Sequence, residues 1–425
     1  MLRWRLTVAM AVTLLGVGCG GGGGGERDGG PDGGAPADAE LFRGDSAICW
    51  PLPAPTGTVV TVTPSQAAML PSIVARASAD STIVLMPGTY PVGRLAFQSN
   101  SVTLRSANDD AASVILDGTY TTPELINIST SDITIAHITL RRAVDHLIHV
   151  SPLDGGADVR NLRIYGVTFE DAGEQFLKVN PNAARTATAS IGRVECSHFR
   201  MTAAGRPHVE RTPGGCYTGG IDAHGTSSWT VERNRFEGIY CAGEGLAEHA
   251  IHFWVGGSDN QIQQNVIINC ARGIGVGLGE GTGQVLRTQV RNNGIWADVP
   301  YFDTGIGVED APGTKVFNNT VVSADGLASF FASIDLRFAG TDAEVRNNLV
   351  RSIRVRDGAT PTLISNHENT PLGWLVSPAT GDFHLTAAAT GAIDQGTPGD
   401  TGFDLDQQLH NAGAGQDIGA DEYQP

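Results

Sequence analysis

Val231-Glu-Arg-Asn234-Arg-Phe236, Ile262-Gln-Gln-Asn265-Val-Ile267, Val290-Arg-Asn-Asn293-Gly-Ile295, Val316-Phe-Asn-Asn319-Thr-Val321 and Val345-Arg-Asn-Asn348-Leu-Val350 repeat one pattern, apolar-x-x-Asn-x-apolar. Weaker copies precede them with Ile138, Val167 and Ser197 in the Asn place, and the successive offsets from 138 are 29, 30, 37, 31, 28, 26 and 29 residues. Each copy holds short, alternating, β-branched runs punctuated by Gly, Asn and Asp, which are strand and turn signals without helical periodicity. A fixed period of this length means one supersecondary unit per repeat. One coil of stacked parallel strands explains both the period and the Asn, because an inward Asn at a turn can hydrogen-bond its equivalents above and below and so satisfy buried amides. Propellers and sandwiches need antiparallel hairpins, and the two-residue turns that make them are missing.

This architecture, over roughly residues 80–370, resembles the right-handed parallel β-helix of the pectin-lyase-like superfamily. The resemblance implies an all-β fold: a single-stranded right-handed parallel β-helix of about ten coils with an N-terminal helical cap. The expected divisions are a signal peptide at 1–18, a Gly-rich tether at 19–57, a cap at 58–80, the coils at 81–375 and a closing segment at 376–425. Pro64–Ser78 supplies the helical part of the cap, since the open end of a coil exposes strand edges and core. The tail, with Asp404, Asp406 and Asp417, resembles the closing segment of bacterial surface β-helix proteins. A solvated loop is the main expectation for its acids and Ca²⁺ the alternative.

Composition narrows the function. Of 425 residues 55 are Gly, 45 are acidic and 28 basic, and only Lys178 and Lys315 of the basic ones are lysines. A net charge of −17 argues against nucleic acid as partner, since phosphate contacts need a positive field. Met1–Gly18, with Arg3 and Arg5 before the apolar run Leu6–Leu15, reads as an export signal too short to span a bilayer. Gly16-Val17-Gly18-Cys19 resembles a bacterial lipobox, which implies lipidation at Cys19 and a membrane contact through that anchor alone. Its removal leaves 26 − 45 = −19 on a protein exported to the periplasm or cell surface, or else secreted. Five cysteines follow Cys19, an odd number, and Cys216–Cys241 is the favoured bridge in an oxidising compartment.

Between the Asn turns lies a second alternating strand, and stacking its copies creates two outward columns. The first reads Asn127, His149, Lys178, Asp222, His252, Gly275, Gly307, Asp335; the second reads Ser129, Ser151, Asn180, His224, Trp254, Gly277, Glu309, Arg337. With coils ~4.8 Å apart, Lys178, Asp222, His224, His252 and Trp254 share one patch beside a Gly-floored trough. Outward strands are polar in any case, but an exposed Trp and paired Gly are poor choices for a merely solvated strand. The expected ligand is a polysaccharide, with Trp254 stacking on a sugar ring and His149, Asn180, Asp222, Glu309 and Arg337 as further contacts.

Four chemistries compete for the patch. In β-elimination from a uronate, Lys178 serves as base and His224 or His252 as acid. The stretch Asp171-Ala-Gly-Glu174-Gln-Phe-Leu-Lys178 is similar to the acid-rich strand and Lys of chondroitinase-B/alginate-lyase-like enzymes, a resemblance that implies Ca²⁺ on Asp171 and Glu174. Gly173 occupies that family's second acid place, and Ala223-His224-Gly225 lacks the Arg of its Arg-His-Gly motif. Hydrolysis needs two nearby carboxylates, whereas Asp222 and Glu309 stand three coils, ~14 Å, apart. A transition metal on Asp222, His224 and His252, with His249 of Glu248-His-Ala-Ile-His252, is the third chemistry. The fourth is no catalysis: a carbohydrate-binding or adhesive surface module.

Overall fold

The computed structural model describes residue 49 and residues 51–209, 211–212, 215–242, 246–399, 402–410 and 413–424. The signal segment, Cys19 and most of the tether lie outside the described residues. The chain winds through three sheets in turn. The first runs from Thr58–Val62 through Thr230–Glu232 to Thr362–Ile364, and the second, entered after each Asn turn, from Gly88–Pro91 through Arg235–Glu237 to Leu349–Val350. The third is built from the alternating strands, and its path passes through Gln175–Val179, Gly219–Ser227, His249–Ser258, Arg272–Val276, Thr304–Glu309 and Ala332–Arg337. Pairing along these sheets is parallel, as between Thr230–Glu232 and Gln261–Gln263.

The Asn turns explain why the coils stack in register. The residue before each rung is left-handed: Cys196, Arg233, Gln264, Asn292, Asn318 and Asn347 have φ between 53° and 56°. Asn tolerates that region better than most side chains, which accounts for the Asn-Asn pairs. The second Asn then points inward and builds a ladder. Asn265 Oδ1 accepts from Asn234 N and Nδ2 at 3.1 and 3.0 Å, and Asn293 Oδ1 accepts from Asn265 N and Nδ2 at 3.0 and 2.9 Å. The ladder continues through Asn319 and Asn348 and gains one further rung beyond the sequence repeat, Asn366. Ser197 stands in for Asn at the other end, its Oγ accepting from Val167 N at 3.1 Å. On the core side Phe169, Phe199 and Phe236 stack at 4.2 and 4.5 Å, each contributed by a successive coil.

The segment 58–80, expected as cap alone, opens with a strand: Thr58–Val62 pairs in parallel with Ser81–Leu85. The helical part is the 3₁₀ turn Pro64–Met69 followed by the α-helix Leu70–Arg76, whose Leu70 and Val74 are buried. The tail also differs from a plain end-plug. Phe383, Leu385, Ala389, Ala392 and Ile418 pack with Val266, Ile268, Trp296, Val322 and Leu349, so it lies along the outer face of the second sheet. Val355 and Leu363 of the last coil stay exposed. Its acids are internal acceptors rather than solvated: Asp404 takes Asp406 N, Gln408 N and Glu422 N, and Asp417 takes Asp394 N and Tyr423 N. Cys216 is bridged to Cys241 and Cys49 to Cys196, which leaves Cys270 as a buried thiol.

Candidate functional site

Strand register on the third sheet places the first column as the alternation requires: Asn127, His149, Lys178, Asp222, His252, Gly275, Gly307 and Asp335 are successive partners. In the second column His224 pairs with Trp254 and Glu309 with Arg337. The face is not open along its length, however. Lys178 and Asp222 are 5% and 3% exposed and His252 is fully buried. Tyr217, at the end of the excursion 201–218, reaches the same cluster, close enough for the charges of Lys178 and Asp222 to act on its phenol. That excursion is what the single long offset of 37 residues between positions 197 and 234 encodes. The Cys216–Cys241 bridge fixes the residue next to Tyr217 to the following coil.

Asp222 is the hub. Its carboxylate accepts from the Lys178 ammonium, from Trp254 Nε1 at 2.6 Å, and faces His224 Nε2 at 3.2 Å. His224 Nε2 also lies 3.2 Å from Lys178 Nζ. With Lys178 already donating to Asp222, the tautomer that suits this arrangement has His224 Nε2–H donating to Asp222. Nδ1 is then left unprotonated, with no protein partner among the described residues. Trp254 stands against His224 edge-on at 4.4 Å and stacks on His252 at 5.4 Å. One face of the indole is thus covered by His252, which makes Trp254 a wall of the cluster rather than the free sugar platform expected.

Electrostatics sort these groups by role. Burial presses Lys178 toward its neutral form, yet the Asp222 carboxylate, with Glu248, outweighs it and holds the lysine above its ordinary pKa. A lysine kept charged in this way is a fixed cation and not the base expected of it. Burial opposes ionisation of Asp222, but the His224 contact and the Lys178 charge hold it well below the usual carboxylate range. Burial lowers the His224 imidazole below its ordinary value, against the pull of Asp222, so it is neutral at pH 7. Burial raises the Tyr217 phenol, which stays protonated. His252 Nε2 lies 3.1 Å from the carbonyl of Gly277, and with no exposure it is not placed to protonate a leaving group, as the sequence suggested it would.

The remaining expected contacts lie on either side. His149 Nδ1 is 2.7 Å from Glu124 and its Nε2 is 3.0 Å from Asn180 Nδ2; His149 lines a depression of about 500 Å³ with Arg94 and Asn127. Toward the other end Glu309 and Arg337 pair at 3.4 Å and line a cavity of about 310 Å³ with Arg272, Gly307 and Asp335. Asp171 and Glu174 do not make the expected Ca²⁺ site. Asp171 Oδ1 and Oδ2 both accept from Thr202, its N and its Oγ1, at 2.7 Å, while Glu174 lies 3.3 Å from His146 Nε2. Ca²⁺ takes six to eight oxygens, and these two acids have other partners. Nor do Asp222 and His224 present a metal set with His252, since both are bound into the Lys178 cluster; the nearby donors that converge are Glu248, His249 and His252.

Residues 156–350 match the family described as a right handed beta helix region. The chain is a right-handed parallel β-helix protein. Among solved structures it resembles pectate lyase Pel9A, with 16% identity, 87% of this chain and 97% of that one covered, and a TM-score of 0.51. It also aligns with the A-module of mannuronan C-5 epimerase AlgE6 from Azotobacter vinelandii, at 16% identity, 68% and 86% coverage and a TM-score of 0.45. A mannuronic acid specific family 6 lyase from human gut microbiota gives 13%, 72% and 83%, and 0.41. At these identities the likeness is one of fold. No curated protein matches the chain significantly in sequence.

Proposed function

We propose that this β-helix acts on a uronate-containing polysaccharide laid along the third sheet, by removing the proton at C5. The observation that carries the reading is the neutral His224 imidazole, oriented by Asp222 with Nδ1 unpartnered among the described residues, beside the Lys178 ammonium in a cluster that Tyr217 also reaches. A carbon acid next to a carboxylate needs a base, a positive charge where the enolate develops, and a proton donor. His224 Nδ1 takes the C5 proton, the Lys178 charge stabilises the anion, and the C–H electrons form the C4–C5 double bond as the O4 substituent leaves with the Tyr217 proton. Reprotonation at C5 before O4 departs would instead invert that carbon, so cleavage and epimerisation share the first step. Names of the structural neighbours, lyases and an epimerase of uronate polymers, are in keeping with this chemistry. The export and lipid anchor expected from Met1–Cys19 complete the proposal, with the two disulfides in keeping with an oxidising compartment.

The test is incubation with alginate and pectate in D₂O, following both the ultraviolet absorbance of unsaturated product and deuterium uptake at C5. Absorbance with cleavage supports elimination, whereas deuterium uptake without it supports epimerisation. Both signals should vanish in His224→Gln, whereas Tyr217→Phe should lower the absorbance signal about 100-fold or more and leave deuterium uptake at C5 in place. The rate should rise as pH passes upward through the lowered His224 pKa. Glycan binding with neither signal would leave the alternative, a non-catalytic surface module.

A further inference from the structure

On the coil that carries Trp254, two buried imidazoles each hold an Nδ1 without a hydrogen bond among the described residues. Ligand atoms of Glu248, His249 and His252 lie within 4.8 Å of one another. His252 Nε2 donates to the carbonyl of Gly277 at 3.1 Å, which fixes the tautomer and leaves Nδ1 as a bare lone pair. That Nδ1 is shielded from solvent, makes no hydrogen bond and faces Glu248 Oε2 at 3.5 Å. His249 Nδ1 is likewise shielded and without a hydrogen bond, and its ring centre is 4.5 Å from that of His252. Two buried ring nitrogens without hydrogen bonds, set beside a carboxylate, are costly to leave unsatisfied and are the donors that a cation would take up. An imidazole that gives its other N–H to a backbone carbonyl is the usual arrangement of a metal-bound histidine.

Gly275 makes the space. A Cβ there would lie 2.7 Å from His252 Cδ2 and 2.8 Å from both Cε1 and Nδ1 of His249, so both rings lean over this glycine. His249 also lines the cavity of about 310 Å³ floored by Gly307. We propose that Glu248, His249 and His252 bind a divalent transition-metal ion of the Zn²⁺ class, with its fourth position open to that cavity for an oxygen ligand. Two imidazoles and one carboxylate are a donor set for Zn²⁺ with an open position, whereas Ca²⁺ and Mg²⁺ want oxygen. Tetrahedral bonds of about 2.0–2.1 Å bring donors to ~3.3 Å apart, so the rings and the half-exposed Glu248 close by about an ångström on binding. The site stands whether or not the proposed uronate chemistry does.

The test is Co²⁺ titration of the chelator-stripped full chain, read by the ligand-field absorbance of the metal. One equivalent with tetrahedral-type bands is expected. The bands should be lost in His249→Ala and Glu248→Gln and kept in His384→Ala, which disables the other convergent donor group, His384, Asp406 and Asp421. Gly275→Ala should weaken binding ~10–100-fold, as for loss of outer support. Glu248→Gln, at a half-exposed position, guards against reading misfolding as lost affinity; circular dichroism matching the parent confirms that its fold is kept. Absence of a bound equivalent, or bands that survive Glu248→Gln or disappear in His384→Ala, would overturn the assignment.

Discussion

Asp222→Asn tests whether the Lys178–Asp222 pair is an ionic unit. Both side chains are almost wholly buried, so the substitution leaves an ammonium with no counter-charge in a site that water barely enters. Removing one partner of such a pair costs about 3–5 kcal/mol, whereas replacing both by apolar groups of similar size is close to neutral. Asparagine keeps an oxygen for Trp254 Nε1 and His224, so the loss should come from Lys178 rather than from the ring contacts. Lys178→Met should cost a similar amount, and Lys178→Met with Asp222→Leu should fall within ~1–2 kcal/mol of the parent. The two single losses would then greatly exceed that of the double variant, a strongly non-additive cycle. Urea midpoints of the four proteins at pH 7 measure this directly. Asp222→Asn should also recover stability as pH rises, because its buried lysine then prefers to be neutral. Single variants that each lose less than about 1 kcal/mol, or an additive cycle, would refute the ionic unit and with it the reading of Lys178 as a fixed cation.

Asn265→Ala strips the Oδ1 acceptor of the buried Asn234 N–H and the Nδ2 donor of Val231 O, so it should cost about 3 kcal/mol or more in urea; Asn366→Ala, at the half-buried last rung, should cost nearer ~1 kcal/mol. His384 lies 2.7 Å from both Asp382 and Asp406, and those contacts raise its pKa to about 10. A raised histidine stabilises fully below its unfolded value near 6.5 and loses that contribution as pH climbs through about 10. Melting temperatures from pH 6.5 to 10 should therefore fall in the parent and stay flatter in His384→Gln. Glu124 and Glu237 work in the opposite direction: partners hold each at about 2 against burial. Their contribution is present above about 4.5 and disappears as pH falls through about 2. A Glu237→Gln variant should be less stable than the parent at neutral pH and approach it in acid.

The coils were legible in the sequence because a parallel stack ties each residue to one equivalent per period. The Asn rungs, the core phenylalanines and the outward columns all follow from period and parity. Residues brought in by departures from the period were not legible. Tyr217 sits at the end of the longest inter-repeat stretch, and the only trace of it was the offset of 37. Burial of the face was missed for the same reason: parity says outward, and only the excursion and Trp254 convert outward into enclosed. The protonation state of Lys178 was likewise out of reach. Its scarcity suggested a tunable base, but whether a buried lysine loses its proton depends on how close a carboxylate lies, and register alone gives a strand spacing rather than a side-chain contact. Asp171 was misread because its φ of +58° turns it toward Thr202, a local conformation that a linear motif does not carry.

A regular β-helix face has a chemical limitation that this chain overcomes. Column spacing brings titratable groups to within a strand separation of one another, close enough to couple, but an open sheet face leaves them in water, where their pKa values stay ordinary and their charges are screened. Here three departures from the repeat meet on adjoining coils: the excursion carrying Tyr217, its bridge to Cys241, and the indole of Trp254 laid across Asp222. Each lowers the local dielectric without altering the column. Asp222 then holds a buried lysine charged beside a neutral histidine, where burial alone would press the lysine toward its neutral form. Beyond them the column turns to Gly275 and Gly307, which removes the cover and opens the cavity beside His249. The acidic surface as a whole repels a polyanion, so the proposed uronate substrate would have to be drawn in locally, by Lys178 and by Arg272 and Arg337 at the cavity wall. Raising ionic strength should therefore weaken long-range repulsion more than it weakens contact at the buried cluster. Apparent affinity for a uronate polymer that rises with moderate salt would agree with that ordering of effects, and one that falls steeply would mean that exposed cations carry the binding.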